Sequence, residues 1–307
     1  MQTGKVIVIA GPTASGKSAL AIDVALFVGG VVINADSMQL YKDMPIISAV
    51  PTDEDRKKAD HRLFEIYDPS FKGNVIDWLK LAVREIKSVW AEGKIPVVVG
   101  GTGFYLENLI EGTTPIPETM PEIRQQVQAF TDKEGLEALY QKVKEVDAPS
   151  AMKIMPNDIT RLKRALEVFL STGKPLSEWH KLPLIKYLPE AKFFIIKICP
   201  SAQELDKRCY ERFDKMVEAG AIDEVQRLYK RKLSPDLPAM KALGVPELME
   251  FFKGKTNVYT AIQNAKLHTR QYAKRQRTWF KNRLQADFEL KKCYKGQFPE
   301  EVLALLK

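Results

Sequence analysis

The sequence predicts an α/β fold in which a parallel sheet is flanked by helices and carries an all-helical insertion. Three short runs of β-branched and other apolar residues, at 5–10, 31–35 and 95–99, are typical of strands buried on both faces. Segments with helical periodicity, at 17–28 and 74–92, lie between these runs. Because strands alternate with helices, the pattern favours a parallel sheet that is covered on both faces.

The chain changes character at residues 113–121, TTPIPETMP, where three prolines and three threonines mark a linker. Residues 122–172 then follow a helical pattern without a strand candidate, and 173–189 is again irregular. The segment KFFIIKIC at 192–199 is predicted to be a strand that rejoins the sheet. The simplest arrangement is therefore a helical insertion within an α/β domain.

These patterns give specific expectations for the domains. We predict a core formed by residues 1–114 and 190–307, and a helical insertion at 115–189. Within the core, a late short strand is expected at 287–290, whereas residues 40–60 are expected to be irregular. Helices are expected to dominate the chain after the fourth strand.

Composition limits the class of protein. Of the 307 residues, 45% are hydrophobic and 28% are charged, as in an ordinary folded protein. The apolar runs are too short to span a bilayer, and the N-terminus lacks the features of a signal peptide. The three cysteines are widely spaced and odd in number, which suits neither a disulfide framework nor a zinc ribbon. We therefore expect a cytoplasmic monomer that has reduced thiols and no membrane association.

The positive charge is concentrated in two places. The net charge of +8 is only a weak indication of nucleic-acid binding, but residues 268–283, HTRQYAKRQRTWFKNR, contain six basic residues and no acid. Taken alone, such a segment is more often a solvated helix than a nucleic-acid reader. A second cluster, RLKR at 161–164, lies in the insertion. Its helix could simply be amphipathic, with Leu162, Ala165 and Leu166 in a core, and the two interpretations are compatible.

Residues 11–18, GPTASGKS, match the phosphate-loop pattern GxxxxGK[ST] in full. The loop follows a predicted strand and opens a predicted helix, so its backbone N–H groups and the helix N-terminus can face an anion. Lys17 can neutralise phosphate oxygens, and Ser18 can ligate Mg²⁺. We therefore predict a P-loop NTPase-like core with Mg²⁺ as cofactor. The predicted phosphate site consists of Gly11, Pro12, Thr13, Ala14, Ser15, Gly16, Lys17 and Ser18.

Two further segments are expected at the same edge of the sheet. A P-loop kinase or NTPase usually has a second acid at the end of a buried strand, but the strand 95–99 ends in the sequence GGTG at 100–103. Asp36, after the strand 31–35, is the only acid at a strand end near the loop. Ligands bind at this edge of open α/β sheets, so Asp36 is a candidate base or hydrogen-bond acceptor and Thr102 a candidate donor. The alternative for Asp36 is a turn or capping carboxylate.

Five segments together resemble the tRNA dimethylallyltransferases, also called tRNA isopentenyltransferases. They are GPTASGKS at 11–18, NADSMQLY at 34–41, VVVGGTGFYL at 97–106, NDITRLKRALEVFLSTGKP at 157–175 and TRQYAKRQRTWFKNR at 269–283. They occur in the order of that family and cover nearly the whole chain. The set is specific, although the phosphate-loop pattern alone is shared by many unrelated enzymes.

The resemblance implies that dimethylallyl diphosphate is the donor and that its diphosphate occupies the P-loop. The implied acceptor is the exocyclic N6 amine of the adenine on the 3′ side of the anticodon, so the implied partner is the tRNA anticodon stem-loop. Asp36 is implied to lie against that amine and Thr102 near the site of transfer, while Thr13 and Arg212 are implied diphosphate contacts. Arg208, one turn away, is left as an alternative to Arg212. The implied catalytic residues are Asp36, Thr102, Lys17 and Arg212.

The resemblance also implies a surface for tRNA. It includes the helical insertion and the basic segment near the C-terminus. The implied tRNA contacts are Asp36, Ser37, Met38, Gln39, Thr102, Arg124, Thr160, Arg161, Leu162, Lys163, Arg164, Lys274, Arg275 and Arg277.

The sequence departs from the family pattern in two loops, and it leaves two other functions as alternatives. The run KDMPIISA at 42–49 lacks a glycine and a threonine that the family usually has, and 242–247 is ALGVPE where the family has a Gly-Tyr-Lys/Arg-Glu-like run. Neither change touches the phosphate loop or Asp36. A P-loop kinase that uses ATP leaves the basic segment and the insertion unexplained. A non-catalytic RNA-binding protein leaves the combination of Lys17, Ser18, Asp36 and Thr102 unexplained.

Overall fold

The computed structural model describes residues 4–297 and 300–306, which form two compact units. The larger unit comprises Met1–Ile110 and Leu188–Lys307, and the smaller comprises Glu111–Tyr187. Within the described residues, no helix is long and apolar enough to cross a membrane.

The larger unit is built on a parallel sheet, which confirms the predicted α/β class. In the described part of the chain the sheet has six strands in the order β3-β2-β4-β1-β5-β6. The strands are β1 (Lys5–Ala10), β2 (Gly30–Asn34), β3 (His61–Arg62), β4 (Ile95–Gly100), β5 (Lys192–Ile198) and β6 (Phe288–Leu290). Ile7 of β1 is paired with Val97 of β4 and with Phe194 of β5. The central strands are buried on both faces, which is why their sequences are continuously apolar.

Helices cover both faces of this sheet. In the larger unit they are α1 (Lys17–Val28), α2 (Pro45–Ser48), α3 (Asp53–Lys58), α4 (Val75–Ala91), α5 (Gly103–Ile110), α10 (Ala202–Glu218), α11 (Ala221–Lys230), α12 (Val245–Phe252), α13 (Val258–Arg283) and α14 (Glu300–Leu306). Asn74 caps α4 by accepting hydrogen bonds from the N–H groups of Ile76 and Asp77. The core contains Ile7, Val97 and Ile196 from the sheet and Leu20 from α1.

The smaller unit is helical. Its helices are α6 (Pro121–Val146), α7 (Ala148–Lys153), α8 (Ile159–Thr172) and α9 (Leu176–Trp179). Gly135 breaks α6 with a φ of 83°, a conformation that glycine adopts without steric cost. The unit has its own core, formed by Val127, Leu139, Val143, Leu162, Ala165, Leu166 and Val168 among others. Its hydrophobic residues therefore pack within the unit itself.

Two segments that were expected to be irregular contain helices, and one edge strand was not predicted. The segment 173–189 includes α9. Residues 40–60 are not wholly irregular, because they include α2 and α3. The α3 segment DEDRKK has no apolar stripe, and it begins instead with a capping box between Thr52 and Asp55. The edge strand β3 was not predicted, because two residues are too few to show a periodic pattern.

Candidate active site

The P-loop lies between β1 and α1 in a conformation that requires special backbone geometry. Ala14 and Gly16 have φ values of 62° and 90°. A side chain at Gly16 would place its Cβ 2.4 Å from the carbonyl oxygen of Tyr294, so only glycine fits. The N–H of Tyr294 also donates to the carbonyl oxygen of Ser15 at 2.9 Å. The segment after β6 therefore supports the loop from outside.

Lys17 begins α1 and is nearly buried, with 7% of its surface exposed. The pKa of Lys17 is lowered to about 8, chiefly by burial; the carboxylate of Asp36 opposes this shift, and the charge of nearby Arg212 adds to it. The ammonium group thus has little water around it. A charge in such surroundings attracts an anion more strongly than an exposed lysine does, because the local dielectric constant is low.

A cavity of about 540 Å³ opens beside the P-loop and is lined by both polar and apolar side chains, which we call its polar wall and its apolar wall. The polar wall includes Lys17, Ser18, Asp36, Arg212, Tyr272 and Arg275. The apolar wall includes Ile22, Ile47, Ala49, Val50 and Leu243. The cavity can therefore hold a molecule that has an anionic end and a hydrocarbon end.

Asp36 lies in this cavity and is held by its neighbours. Its backbone N–H donates to Asn34 Oδ1 at 2.8 Å, and Asn34 Nδ2 donates to the Asp36 carbonyl oxygen at 3.0 Å. Its Oδ1 accepts from the N–H of Met38 at 3.2 Å, and Oδ2 has no hydrogen-bond donor from the described residues. Asp36 is thus a turn carboxylate and a cavity carboxylate at once, and Oδ2 can accept from a bound ligand.

The glycine turn after β4 approaches Asp36 closely. A Cβ on Gly100 would lie 2.1 Å from the carbonyl oxygen of Ala35, so the two backbones touch there. Thr102 Oγ1 accepts from the N–H of Ser37 at 3.0 Å and donates to Ser37 Oγ at 3.2 Å. Thr102 therefore fixes the segment that carries Asp36.

Arg212, on α10, contacts the P-loop directly. Its guanidinium donates to Thr13 Oγ1 at 3.0 Å, and both residues line the cavity. Burial lowers the pKa of Arg212 and the Asp36 carboxylate raises it, but an arginine remains charged in such a site. Arg208 is not among the cavity residues. Of the two arginines left open by the sequence, the geometry thus favours Arg212.

Three polar side chains of this site are not predicted by the sequence analysis. Asn34 is fully buried and holds Asp36, Tyr272 lines the cavity, and Gln276 bonds the P-loop and the glycine turn. Asn34 lies in a quoted motif, and a polar residue at the end of a buried strand was a usable signal. Tyr272 and Gln276 lie in the basic segment, where the sequence does not distinguish buried polar side chains from exposed ones.

Hydrogen bonds hold the segment 46–49, which contributes Ile47 and Ala49 to the apolar wall. The carboxylate of Glu224, on α11, accepts from the N–H groups of Ile46 and Ile47 at 2.9 and 2.8 Å. Gln39 Nε2 donates to the carbonyl oxygens of Ser48 and Ala49 at 3.2 and 2.6 Å. The atypical segment 42–49 is therefore an ordered part of the cavity, and part of the Gln39 amide is committed to it.

The basic segment 268–283 forms the C-terminal part of α13 and is therefore helical. Lys274 and Arg275 are exposed and line a groove of about 420 Å³ together with Trp279, Asn282 and Arg283. Arg275 also lines the cavity beside the P-loop. Arg277 is half-buried, and its Nε donates to the carbonyl oxygen of Pro200 at 3.0 Å, so it has a structural contact as well.

The candidate tRNA residues of the smaller unit differ in exposure. Arg124, Thr160 and Arg161 are exposed, Lys163 bonds Gln128 at 2.7 Å, and half-buried Arg164 bonds Thr119 at 2.6 Å. The expected tRNA contact of the Leu162 side chain is corrected by the structure, because this side chain is fully buried in the core of the unit. The quoted motif runs along the helix, whereas the core takes every third or fourth residue, so a contiguous motif includes core positions.

The site offers the hydroxyl of Ser18 as an oxygen ligand for Mg²⁺. Within the described residues, no three His, Cys, Asp or Glu side chains are grouped so as to hold a metal ion. Ser18 is exposed at the cavity beside Lys17. Mg²⁺ is often held by one or two protein oxygens together with phosphate oxygens and water, and this arrangement fits Ser18 and a bound diphosphate.

Comparison with known proteins agrees with the resemblance seen in the sequence. A family model described as IPP transferase matches residues 39–283. The tRNA dimethylallyltransferase of Zymomonas mobilis is 46% identical over 277 residues, which cover 90% of this chain and 88% of that protein. The tRNA dimethylallyltransferase of Rhodospirillum rubrum is 41% identical over 97% of this chain and 91% of its own length.

Solved structures are similar over most of the chain. The tRNA isopentenylpyrophosphate transferase of Bacillus halodurans has a TM-score of 0.70 and 31% identity, over 99% of this chain and 95% of that one. A eukaryotic dimethylallyltransferase acting on tRNA has a TM-score of 0.77 and 31% identity, over 91% of this chain and 70% of its own. The chain therefore belongs to the IPP transferase family and is a prenyltransferase of the tRNA dimethylallyltransferase class.

Proposed function

We propose that this chain transfers a dimethylallyl group from dimethylallyl diphosphate to the N6 amine of the adenine on the 3′ side of the anticodon in tRNA. The observation that carries the proposal is the cavity of about 540 Å³, which is lined by the P-loop, by Asp36 and by the aliphatic side chains of the apolar wall. A prenyl diphosphate has the same two-part chemistry. Its anionic end matches Lys17 and Arg212, and its five-carbon end matches Ile47 and Leu243.

On the donor side, the diphosphate lies on the P-loop amides. Lys17 and Arg212 neutralise its charge. The Arg212 guanidinium also donates a hydrogen bond to Thr13, which keeps Thr13 beside the diphosphate. Ser18 would hold Mg²⁺ together with the bound diphosphate, and the ion would supply further positive charge to the leaving group. Stabilising this developing charge is the main catalytic contribution of the polar wall.

During transfer, the bond between the allylic carbon and the diphosphate oxygen breaks, and a bond forms between that carbon and N6. The nitrogen becomes positively charged and then loses a proton. Oδ2 of Asp36 can accept a hydrogen bond from the amine, orient it and receive the proton. A carboxylate is poorly suited to contact the diphosphate, since like charges repel.

On the acceptor side, the adenine must leave the stack of the anticodon loop, because a stacked base cannot enter such a cavity. Lys274 and Arg275 on α13 provide phosphate contacts, and the Trp279 ring in the same groove offers a surface for stacking. Exposed Arg124, Thr160 and Arg161 extend the RNA-binding surface of the helical insertion, which we place at 115–189. We also propose that the enzyme acts in the cytoplasm.

An ATP-dependent kinase is not favoured. A kinase of the P-loop type needs a second acid to hold Mg²⁺, and β4 ends in Gly100–Gly103 instead. The apolar wall of the cavity contains aliphatic side chains, which suit an isoprenoid better than a ribose.

The direct test is incubation of the protein with radiolabelled dimethylallyl diphosphate, Mg²⁺ and unmodified tRNA. We expect label in RNA with the wild type, and almost none with Lys17→Ala, which should still bind tRNA. A tRNA with guanosine at the target position is the substrate control. The absence of transfer by a folded wild-type protein, together with ATP turnover, would favour the kinase instead.

A further inference from the structure

One side chain of α13, Gln276, joins two parts of the site that are distant in sequence. Its Oε1 accepts a hydrogen bond from the N–H of Thr13 at 2.8 Å, and its Nε2 donates to the carbonyl oxygen of Gly101 at 2.7 Å. Thr13 belongs to the P-loop, and Gly101 precedes Thr102. A single amide therefore links the diphosphate side of the cavity to the turn on the acceptor side.

The surroundings of this amide leave it little freedom. Gln276 is 7% exposed. A Cβ on Gly101 would lie 2.6 Å from Gln276 Nε2 and 3.3 Å from Asp36 Oδ2. The glycine thus lets the amide and the Asp36 carboxylate approach the same stretch of backbone, and both hydrogen bonds are short and largely protected from water.

The link continues on both sides. Thr13 Oγ1 accepts from Arg212, while Thr102, next to Gly101, bonds the N–H and hydroxyl of Ser37. Hydrogen bonds therefore run from the proposed leaving-group contacts, through Gln276, to the segment that carries Asp36. Only a side chain with one acceptor and one donor at this reach can make both bonds, and glutamine provides both.

We propose that Gln276 is a positioning residue, which holds the P-loop and the Gly101–Thr102 turn at the separation that transfer requires. The inference rests on the proposed function, because it assigns the two linked parts to donor and acceptor. Without the amide, the loop and the turn can still fold, but their separation is no longer fixed. Displacements of about 1 Å at reacting groups can lower a rate by about 10²-fold.

The test compares Gln276→Met, which keeps the length and loses both bonds, with Gln276→Asn, which is too short to bridge both partners. The matched control is Thr269→Val on the same helix, because Thr269 is also buried and bonds only Ala265 of its own helix at 2.8 Å. The measurements are the single-turnover transfer rate at saturating donor and tRNA, the donor KM, the tRNA Kd and the thermal unfolding of each variant.

We expect Gln276→Met to lower the single-turnover rate about 10²-fold, with a smaller change in donor KM, and tRNA affinity and the Thr269→Val rate should match the wild type. The single-turnover rate of Gln276→Asn should lie between the rates of Gln276→Met and the wild type. Combined with Thr102→Ala, Gln276→Met should lose less than the product of the two single effects, because both act on the same turn.

A wild-type rate for Gln276→Met, measured well below its unfolding temperature, would overturn the inference. If that variant does not fold, Gln276→Asn decides, and a wild-type rate for it has the same meaning. An inactive wild type would instead count against the proposed function. In that case the affinity for inorganic diphosphate tests the role of Gln276. We expect Gln276→Met to bind diphosphate more weakly than Thr269→Val does, and equal affinities would reject the inference.

Discussion

Glu224 supports the apolar wall of the cavity, and its replacement should affect both stability and donor binding. Its side chain is fully buried, and its carboxylate accepts from the N–H groups of Ile46 and Ile47, which open α2. Burial raises the pKa of Glu224, and the two backbone hydrogen bonds oppose this shift. The residues that follow these N–H groups, including Ala49 and Val50, face the cavity.

The size of the effect follows from the two bonds. In Glu224→Gln the amide oxygen can still accept one hydrogen bond, but the NH₂ group cannot accept the other. One buried N–H then lacks a partner, which costs about 1–3 kcal/mol of unfolding free energy. Glu224→Ala leaves both N–H groups unpaired, so about twice that loss is expected.

Donor binding should weaken as well, because the wall moves. Loss of apolar contact equivalent to one or two methylenes costs about 0.8–1.6 kcal/mol. That range corresponds to an increase of about 4- to 15-fold in the donor KM. The affinity for tRNA should not change, since the wall does not belong to the basic groove of α13.

Urea unfolding and the donor KM at saturating tRNA measure the two effects. Asp223→Asn is the matched control, because Asp223 precedes Glu224 on α11 and is exposed. A Glu224→Gln variant with the stability and donor KM of Asp223→Asn would refute the reasoning.

Three further predictions concern charges of the site. The donor Kd should not change with pH below pH 8, and it should rise by up to about tenfold per pH unit above pH 8, because the Lys17 pKa is about 8 and binding at higher pH requires proton uptake. Lys17→Arg should flatten this pH dependence. A wild-type Kd that stays constant from pH 7 to 9.5 would contradict the prediction. Asp36→Ala should lower the single-turnover rate about 10²–10⁴-fold with little change in donor affinity, and Asp36→Asn should lower it less; weak donor binding with a normal rate at saturation would make Asp36 a donor-side residue. Replacement of Lys274 and Arg275 by Glu should weaken tRNA binding, and the slope of log affinity against log salt concentration should fall by about one unit per lost phosphate contact. Lys80→Glu on α4 is the control and should change neither quantity. An unchanged slope for the Lys274 and Arg275 variants would mean that α13 is only a solvated helix.

The sequence predicts those parts of the site that are encoded locally. The P-loop is complete within eight residues, and the flanking strand and helix have clear patterns of their own. Asn74 likewise caps α4 through residues two and three positions away. Such features need no knowledge of the tertiary structure.

Contacts between distant residues were not predicted, for a physical reason. The bond between Thr13 and Gln276 spans 263 residues, and the bonds of Glu224 to α2 span 178 and 177 residues. A buried glutamine or glutamate in an amphipathic helix has the same local pattern as an exposed one. Only the packed structure reveals that these polar groups pair with backbone N–H and C=O groups that would otherwise be buried without partners.

The structure of α13 gives the position of its basic residues a mechanical meaning. Lys274 and Arg275 lie outward on the helix, while Gln276, the next residue, is buried against the P-loop and the Gly101 turn. Helices move largely as rigid units, and a tightly packed interior transmits displacement. In the proposed function, a phosphate bound by Arg275 would therefore rest on the same helix that carries Gln276. The proposed tRNA contact and the proposed alignment of donor and amine share this one helix.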